Sequence, residues 1–118
     1  MWCLALLSSL KILDFTTLLP GPYGTMILAD LGAQVLRVES PTRQDLVRTT
    51  PPFDGKDAVA HSYLNRSKGS ITLDLKKLEA IQLVKSLIMK YDILIEQFRP
   101  GVMERLGQLW AVVTRPCV

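Results

Sequence analysis

Residues 10–41 read LKILDFTTLLPGPYGTMILADLGAQVLRVESP, and the order of residue types along this stretch decides the fold. Lys11–Phe15 is a short run rich in β-formers and is the first strand candidate. Pro22 suits the first turn of a helix, where its missing N–H is not needed and its fixed φ helps. Met26, Ile27, Ala29 and Leu31 follow at mixed helical spacings, and Gly32 ends the run as a left-handed cap residue should. Gln34–Glu39 has apolar positions at Val35 and Val38 with Leu36 between, and reads as a second strand. Strand, short turn, helix, glycine and strand make a βαβ unit, for which parallel pairing is expected. The Gly21-Pro22-Tyr23-Gly24 segment reads either as a tight turn or as backbone shaped to admit a phosphate-bearing ligand.

Outward from this unit the alternation continues. Ser40–Lys56 carries three prolines and both charge signs, and reads as a long surface loop or lid where ligand groups often gather. Ala58–Leu64 suits a short helix. Ser70–Leu75 alternates Ile71, Leu73 and Leu75 against Ser70, Thr72 and Asp74, which predicts a third strand. Lys77–Lys90 is the clearest helix: Ile81, Val84, Ile88 and Tyr91 share one face with Leu78 and Leu87 nearby, and Glu79, Gln82, Ser86 and Lys90 lie opposite. Asp92–Glu96 is a fourth strand, and Gly101–Leu106 starts another helix after Pro100. The expected class is α/β, a mostly parallel sheet flanked by helices. Such sheets bind ligands beyond the carboxyl ends of their strands, here Asp14–Pro20, Glu39–Arg43, Asp74–Lys76 and Glu96–Arg99.

Bulk properties narrow the classes. A chain of 118 residues, 48% hydrophobic and 21% charged, buries one core and is small for an enzyme with a deep cleft. The net charge of +3 is spread without a block of lysines and arginines, so no nucleic-acid partner is expected. Cys3 and Cys117 stand at opposite ends in no metal-ligand spacing, which leaves reduced thiols or a terminal disulfide, and no metal is expected. Met1–Leu7 is apolar but lacks the basic start of a signal peptide. No stretch approaches the roughly 18–20 apolar residues of a membrane span, so a soluble chain with no membrane partner is expected.

Single residues with chemical potential are each unspecific. Gly21-Pro22-Tyr23-Gly24 is not GxGxxG, Pro22 removes a phosphate-binding N–H, and no Walker loop occurs, so the local reading favours a turn. His61 is the only histidine; with no GxSxG serine and no spaced acid partner, a hydrolase triad is not supported. Asp14 ends the first strand, where it can serve as a catalytic carboxylate or pin the following loop. Arg99 and Arg105 can pair with phosphate, though surface salt bridges are the commoner fate of such residues.

Three blocks taken in order are specific: residues 10–41, then LNRSKGSITLDLK at 64–76, then DILIEQFRPGVMERLG at 92–107. Together they resemble the opening of the family III CoA-transferases over about residues 9–107; that family includes carnitine CoA-transferases and 2-methylacyl-CoA racemases. The resemblance implies a Rossmann-like α/β domain holding much of coenzyme A, as CoA or acyl-CoA, with a carboxylic acid as co-substrate. It also implies interlocked homodimers in full-length members and an intracellular setting, the cytoplasm or, in a eukaryote, the mitochondrion or peroxisome. In transferases of this kind an aspartate forms an acyl anhydride and then a thioester intermediate; in the racemases a His/Asp pair moves the α-proton. Both sets of catalytic residues fall after the matched stretch, so no catalytic residue is assigned.

Carried over residue by residue, the resemblance puts Leu73 and Lys76 near the adenosine end of CoA. Gln97 and Phe98 line the same pocket, where the family usually has Asn-Phe. Arg105 matches a basic residue that meets CoA phosphate, and Leu19 and Pro20 match the active-site entrance. The opening glycines then become a turn that lets the chain approach the ligand. Two departures stand out. Ser40 replaces an arginine that many members carry after Val-Glu, a contact worth about 1.5–3 kcal/mol. After Gly107 the tail GQLWAVVTRPCV is unlike the family, as is Trp2–Leu7. The expectation is a partial CoA-binding domain over 1–107 and an atypical tail over 108–118, with the ends of a truncated, frameshifted or alternatively spliced product. A racemase-type parent and, in another class, a noncatalytic interaction chain or gene remnant are the alternatives.

Overall fold

The computed structural model of the chain describes residues 5–106. Lys11–Asp14 forms β1 and Gln34–Glu39 forms β2, paired in parallel with Ile12 opposite Val35 and Asp14 opposite Arg37. The connecting helix α1, Pro20–Asp30, begins on proline as its sequence requires. Its end is a Schellman cap: Gly32 takes φ +100°, and the N–H groups of Gly32 and Ala33 donate to the carbonyls of Ala29 and Leu28, each at 3.0 Å. Gly21 is needed for space rather than for φ, because a Cβ there would collide with the Thr16 side chain.

The Ser40–Lys56 stretch holds a 3-10 turn at Leu46–Thr49 and opens a small hairpin, β3 at Phe53–Asp54 and β4 at Asp57–Ala58. Helix α2, Val59–Leu64, follows, and β5, Gly69–Thr72, pairs in parallel with β2. Helix α3, Leu78–Ile88, then carries the chain to β6, Ile93–Ile95, which pairs in parallel with the free side of β1. The short helix α4, Val102–Arg105, closes the described region. The sheet order is β5-β2-β1-β6, all parallel, which bears out the expected class. The chain builds outward from β1 on one side, then returns to add β6 on the other. The gap between the carboxyl ends of β1 and β6 is therefore the topological switch point.

Strand alternation sends successive residues to opposite faces. Leu13, Phe15 and Val38 pack with Val84 of α3 and Met103 of α4, joined by Leu73, Ile81, Ile88, Tyr91 and Phe98. Ile12 and Val35 pack on the other face with Ala29 and Leu28 of α1. Ile12, Leu13 and Val84 are wholly buried, each worth about 1.5–3 kcal/mol of apolar burial.

Two details differ from the sequence reading. The third strand of the sheet ends at Thr72 rather than Leu75, because its partner β2 ends at Glu39; Leu73 N still donates to Glu39 O (2.8 Å), and the chain then turns at Asp74. Leu78, read as lying near the apolar face of its helix, is exposed at the first turn of α3. The tail at 108–118 and both cysteines lie outside the described residues.

Candidate functional site

With all four strands parallel, their carboxyl ends line one edge of the sheet. Beside β5 and β2 a groove of about 390 Å³ opens between Pro41, Thr72, Leu73, Asp74, Lys77 and Leu83. Leu73, matched to the adenosine end, is half-buried and lines this groove while packing against the core. Lys76 is exposed in the turn that follows, where its backbone N–H donates to Asp74 Oδ1 (3.1 Å).

At the switch point Phe15 N donates to Ile95 O (2.9 Å), which extends the pairing of β1 with β6. Phe98 packs its ring at a tilt against Phe15, centroids 6.4 Å apart. Gln97 Nε2 donates to Thr17 O (2.7 Å), so the turns after β1 and β6 are joined directly. Leu19 and Pro20 are exposed at the start of α1. Arg105 is exposed on α4, and its Nε donates to Gly101 O (3.1 Å) within its own turn. The carried-over residues other than Arg105, which lies on α4, thus follow the carboxyl ends of strands. Leu73 and Phe98 share one apolar cluster, Gln97 meets the loop before Leu19, and Lys76 and Arg105 reach into solvent.

Sequence reasoning missed a buried polar cluster beneath the same rim, on the α1 side. Asp14 Oδ1 accepts from Thr16 N (2.8 Å) and Thr16 Oγ1 (2.6 Å), and its Oδ2 accepts from Thr25 Oγ1 (2.6 Å). Lys68 Nζ lies 3.8 Å from Asp14 Oδ2 and donates to Pro22 O, Thr25 Oγ1 and Asn65 Oδ1 at 2.9, 2.7 and 3.2 Å. Asp14 therefore pins the β1–α1 loop. Both of its oxygens accept hydrogen bonds, as a loop-pinning part requires. Burial pulls the Lys68 ammonium down to about 8; Asp14 opposes that shift and the Arg37 charge adds to it.

Arg37, opposite Asp14 on β2, is 1% exposed. Its guanidinium is paired with Asp45 through Nη2 and with Glu39 at 3.3 Å through Nη1, and Nη1 also meets His61 Nε2 at 2.9 Å. Its buried Nε has no hydrogen-bond partner among the described residues. Arg48 Nη2 donates to both Glu39 oxygens, at 2.9 and 2.8 Å. Arg37 is thus spent on the loop after β2 and does not substitute for the arginine missing at Ser40. His61 Nε2 accepts from Arg37, so Nδ1 carries the proton of the neutral ring. Burial first, then the Arg48 and Arg37 charges, hold this imidazole below its usual range. The sequence signals for this cluster were Asp14 at the end of the first strand and a charge in the middle of the second, Arg37 within QVLRVE, where an apolar residue is the norm.

Among the described residues no group of three or more His, Cys, Asp or Glu side chains is placed to hold a metal, and no helix is long and apolar enough to cross a membrane. The arrangement is that of a parallel α/β unit whose strand carboxyl ends share one edge. The model for CoA-transferase family III matches residues 7–115, so the chain belongs to that family. Over 98 residues it is 44% identical to acetyl-CoA:oxalate CoA-transferase of Acetobacter aceti, covering 83% of this chain and 25% of that one. Over 102 residues it is 39% identical to human succinyl-CoA:glutarate CoA-transferase, covering 86% and 23%. A solved CAIB/BAIF family protein from Brucella suis superposes with TM-score 0.80 at 33% identity, over 90% of this chain and 29% of that one. The chain spans about a quarter of the length of the curated relatives it matches.

Proposed function

We propose that this chain supplies the CoA-gripping rim of an enzyme that moves CoA between carboxylic acids. What supports the reading is a coincidence: every residue carried over from the family except Arg105, which is on α4, follows the carboxyl end of a strand, along the edge where the topology puts a ligand. The groove at Leu73 offers apolar walls to an adenine, and Lys76 and Arg105 offer exposed cations to phosphates. Gln97, Phe98, Leu19 and Pro20 continue the line toward the thioester end. The catalytic carboxylate lies, in this reading, beyond the matched stretch, and the chain alone binds CoA without turning it over. Relatives whose names specify CoA transfer to oxalate or glutarate favour a transferase over a racemase parent. The cytoplasm, or the mitochondrion or peroxisome of a eukaryote, is the matching compartment.

A second reading, an interaction chain, draws on Leu19, Tyr23, Ile27 and Leu31, four exposed apolar residues spaced by four from the N-cap of α1 to its C-cap. In the transferase reading this stripe is part of the interlocked homodimer.

Calorimetric titration of the purified 118-residue chain with CoA tests the first reading. Saturable binding that weakens at least tenfold in Arg105→Ala is expected, the loss of one charge-assisted bond being about 1.5–3 kcal/mol. No binding by a folded chain overturns it.

A further inference from the structure

The loop between β1 and α1 contains a leucine in a conformation that leucine rarely adopts. Leu18 has φ +65°, in the left-handed region, and it is not a glycine. Such a residue persists only where its surroundings over-determine it, and such positions concentrate at functional sites. Here the determinants act on a single peptide unit. The carbonyl of Thr17 accepts from Gln97 Nε2 at 2.7 Å, while the N–H of Leu18 donates to the Asp45 carboxylate, 3.3 Å from each oxygen. One partner comes from the turn after β6 and the other from the loop after β2, so the peptide is held from both sides.

The two partners are held unequally: Asp45 is fixed by its own pairings, whereas Gln97 is exposed and bonds to Thr17. Asp45 is buried, paired with Arg37 Nη2, and accepts from Val47 N at 3.1 Å. Gln97 Nε2 also lies 3.3 Å from Thr17 Oγ1, so its amide donors are directed at Thr17. Leu19, next in the chain, is 61% exposed at the start of α1.

We infer that Gln97 and Asp45 are positioning residues, clamping the Thr17–Leu18 peptide so that the backbone leading into Leu19 is set before ligand arrives. This rests on the CoA-binding reading above. It assigns Gln97 a different part from that of its matched position: it acts on the site through Thr17 and Leu18 rather than by touching CoA.

Two measurements on the full chain test this. Amide hydrogen exchange by NMR reads the clamp without any ligand. In Gln97→Ala the Leu18 amide is expected to exchange at least tenfold faster, with Ile12 and Leu13 in β1 unchanged. A change under twofold, or an equal acceleration of all three, overturns the clamp. Calorimetry with CoA then reads the role. Glycine takes the left-handed region without strain, so if Gln97 acts through Leu18, the clamp matters less in a Leu18→Gly background. Gln97→Ala should weaken CoA binding at least fivefold in the wild-type chain and less than twofold in the Leu18→Gly chain. Equal losses in both backgrounds mean direct contact with CoA and overturn the positioning role. If the wild-type chain binds no CoA, the functional reading fails and the role toward CoA falls with it, while the exchange result still decides the clamp.

Discussion

The two faces of this sheet are built from alternate residues of the same strands, yet they end differently. Toward α3 the residues are apolar up to the rim, from Leu13 and Val38 to Phe15 and Phe98. Toward α1 they begin apolar, at Ile12 and Val35, and two residues later become Asp14 and Arg37, charged and buried side by side. Apolar burial is non-directional and tolerates small shifts, so the α3 face can bind the layers together without fixing any loop. Buried ion pairs add little net stability because desolvation offsets their attraction, but they fix geometry and are costly to break. The α1 face spends its charges where β1 and β2 end, on Thr16, Thr25, Asp45 and Lys68. One face holds the fold, and the other sets the shape of the rim.

That contrast breaks most visibly at Arg37. Arg37→Ala leaves Asp45 buried without its cation and is expected to cost about 3–5 kcal/mol in urea unfolding; a cost under about 1 kcal/mol would show the cluster to be idle. Leu13→Ala on the opposite face is expected to cost about 3 kcal/mol through lost contact and a residual cavity. It should leave Leu18 amide exchange unchanged relative to its neighbours, whereas Arg37→Ala should speed it. Gly21→Ala sharpens the comparison at closer range. The added methyl meets Thr16, which Asp14 holds fast, and the expected loss is about 1–3 kcal/mol of overpacking. Placed at Gly24, where a Cβ meets nothing within 4 Å, the same substitution should cost far less.

The smallest effect is one of pH. The folded His61 imidazole titrates below its usual value of 6.5. As pH falls below 6.5 the unfolded chain therefore takes up the proton first, and stability present above that point is lost. Melting temperature measured between pH 7.5 and 5 should fall on acidification, and His61→Gln, which keeps an acceptor for Arg37, should flatten that fall. An unchanged slope would mean His61 plays no part in it.

Much of this frame is legible in residue order because its determinants are local. Pro22, Gly32 and the two β-rich runs around them give β1, α1 and β2 within a residue or two at most boundaries, and the 3.6 period gives α3. The length of β5 is not local: Ser70–Leu75 alternates to its end, but pairing stops where β2 runs out of chain. The charged cluster is less legible still. Asp14, Arg37, Asp45, His61 and Lys68 are scattered along the sequence, and only parallel register brings them together. Apart from Asp14, whose place at a strand end suggests a pin for the next loop, each alone reads as surface charge or a lone histidine. The carried-over rim residues were found through resemblance, since nothing in the spacing of Leu73, Gln97 and Arg105 marks a nucleotide site.

The central claim, that the carboxyl ends of the four strands receive CoA, is tested most directly by mapping amide shifts of the isotope-labelled chain as CoA is added. The account predicts changes confined to Leu18–Leu19, Leu73–Lys76, Gln97–Arg99 and Arg105, with Lys11, Gln34 and Asp92 at the opposite edge unmoved. Shifts gathered at those amino ends, or none at all in a folded chain, would contradict it.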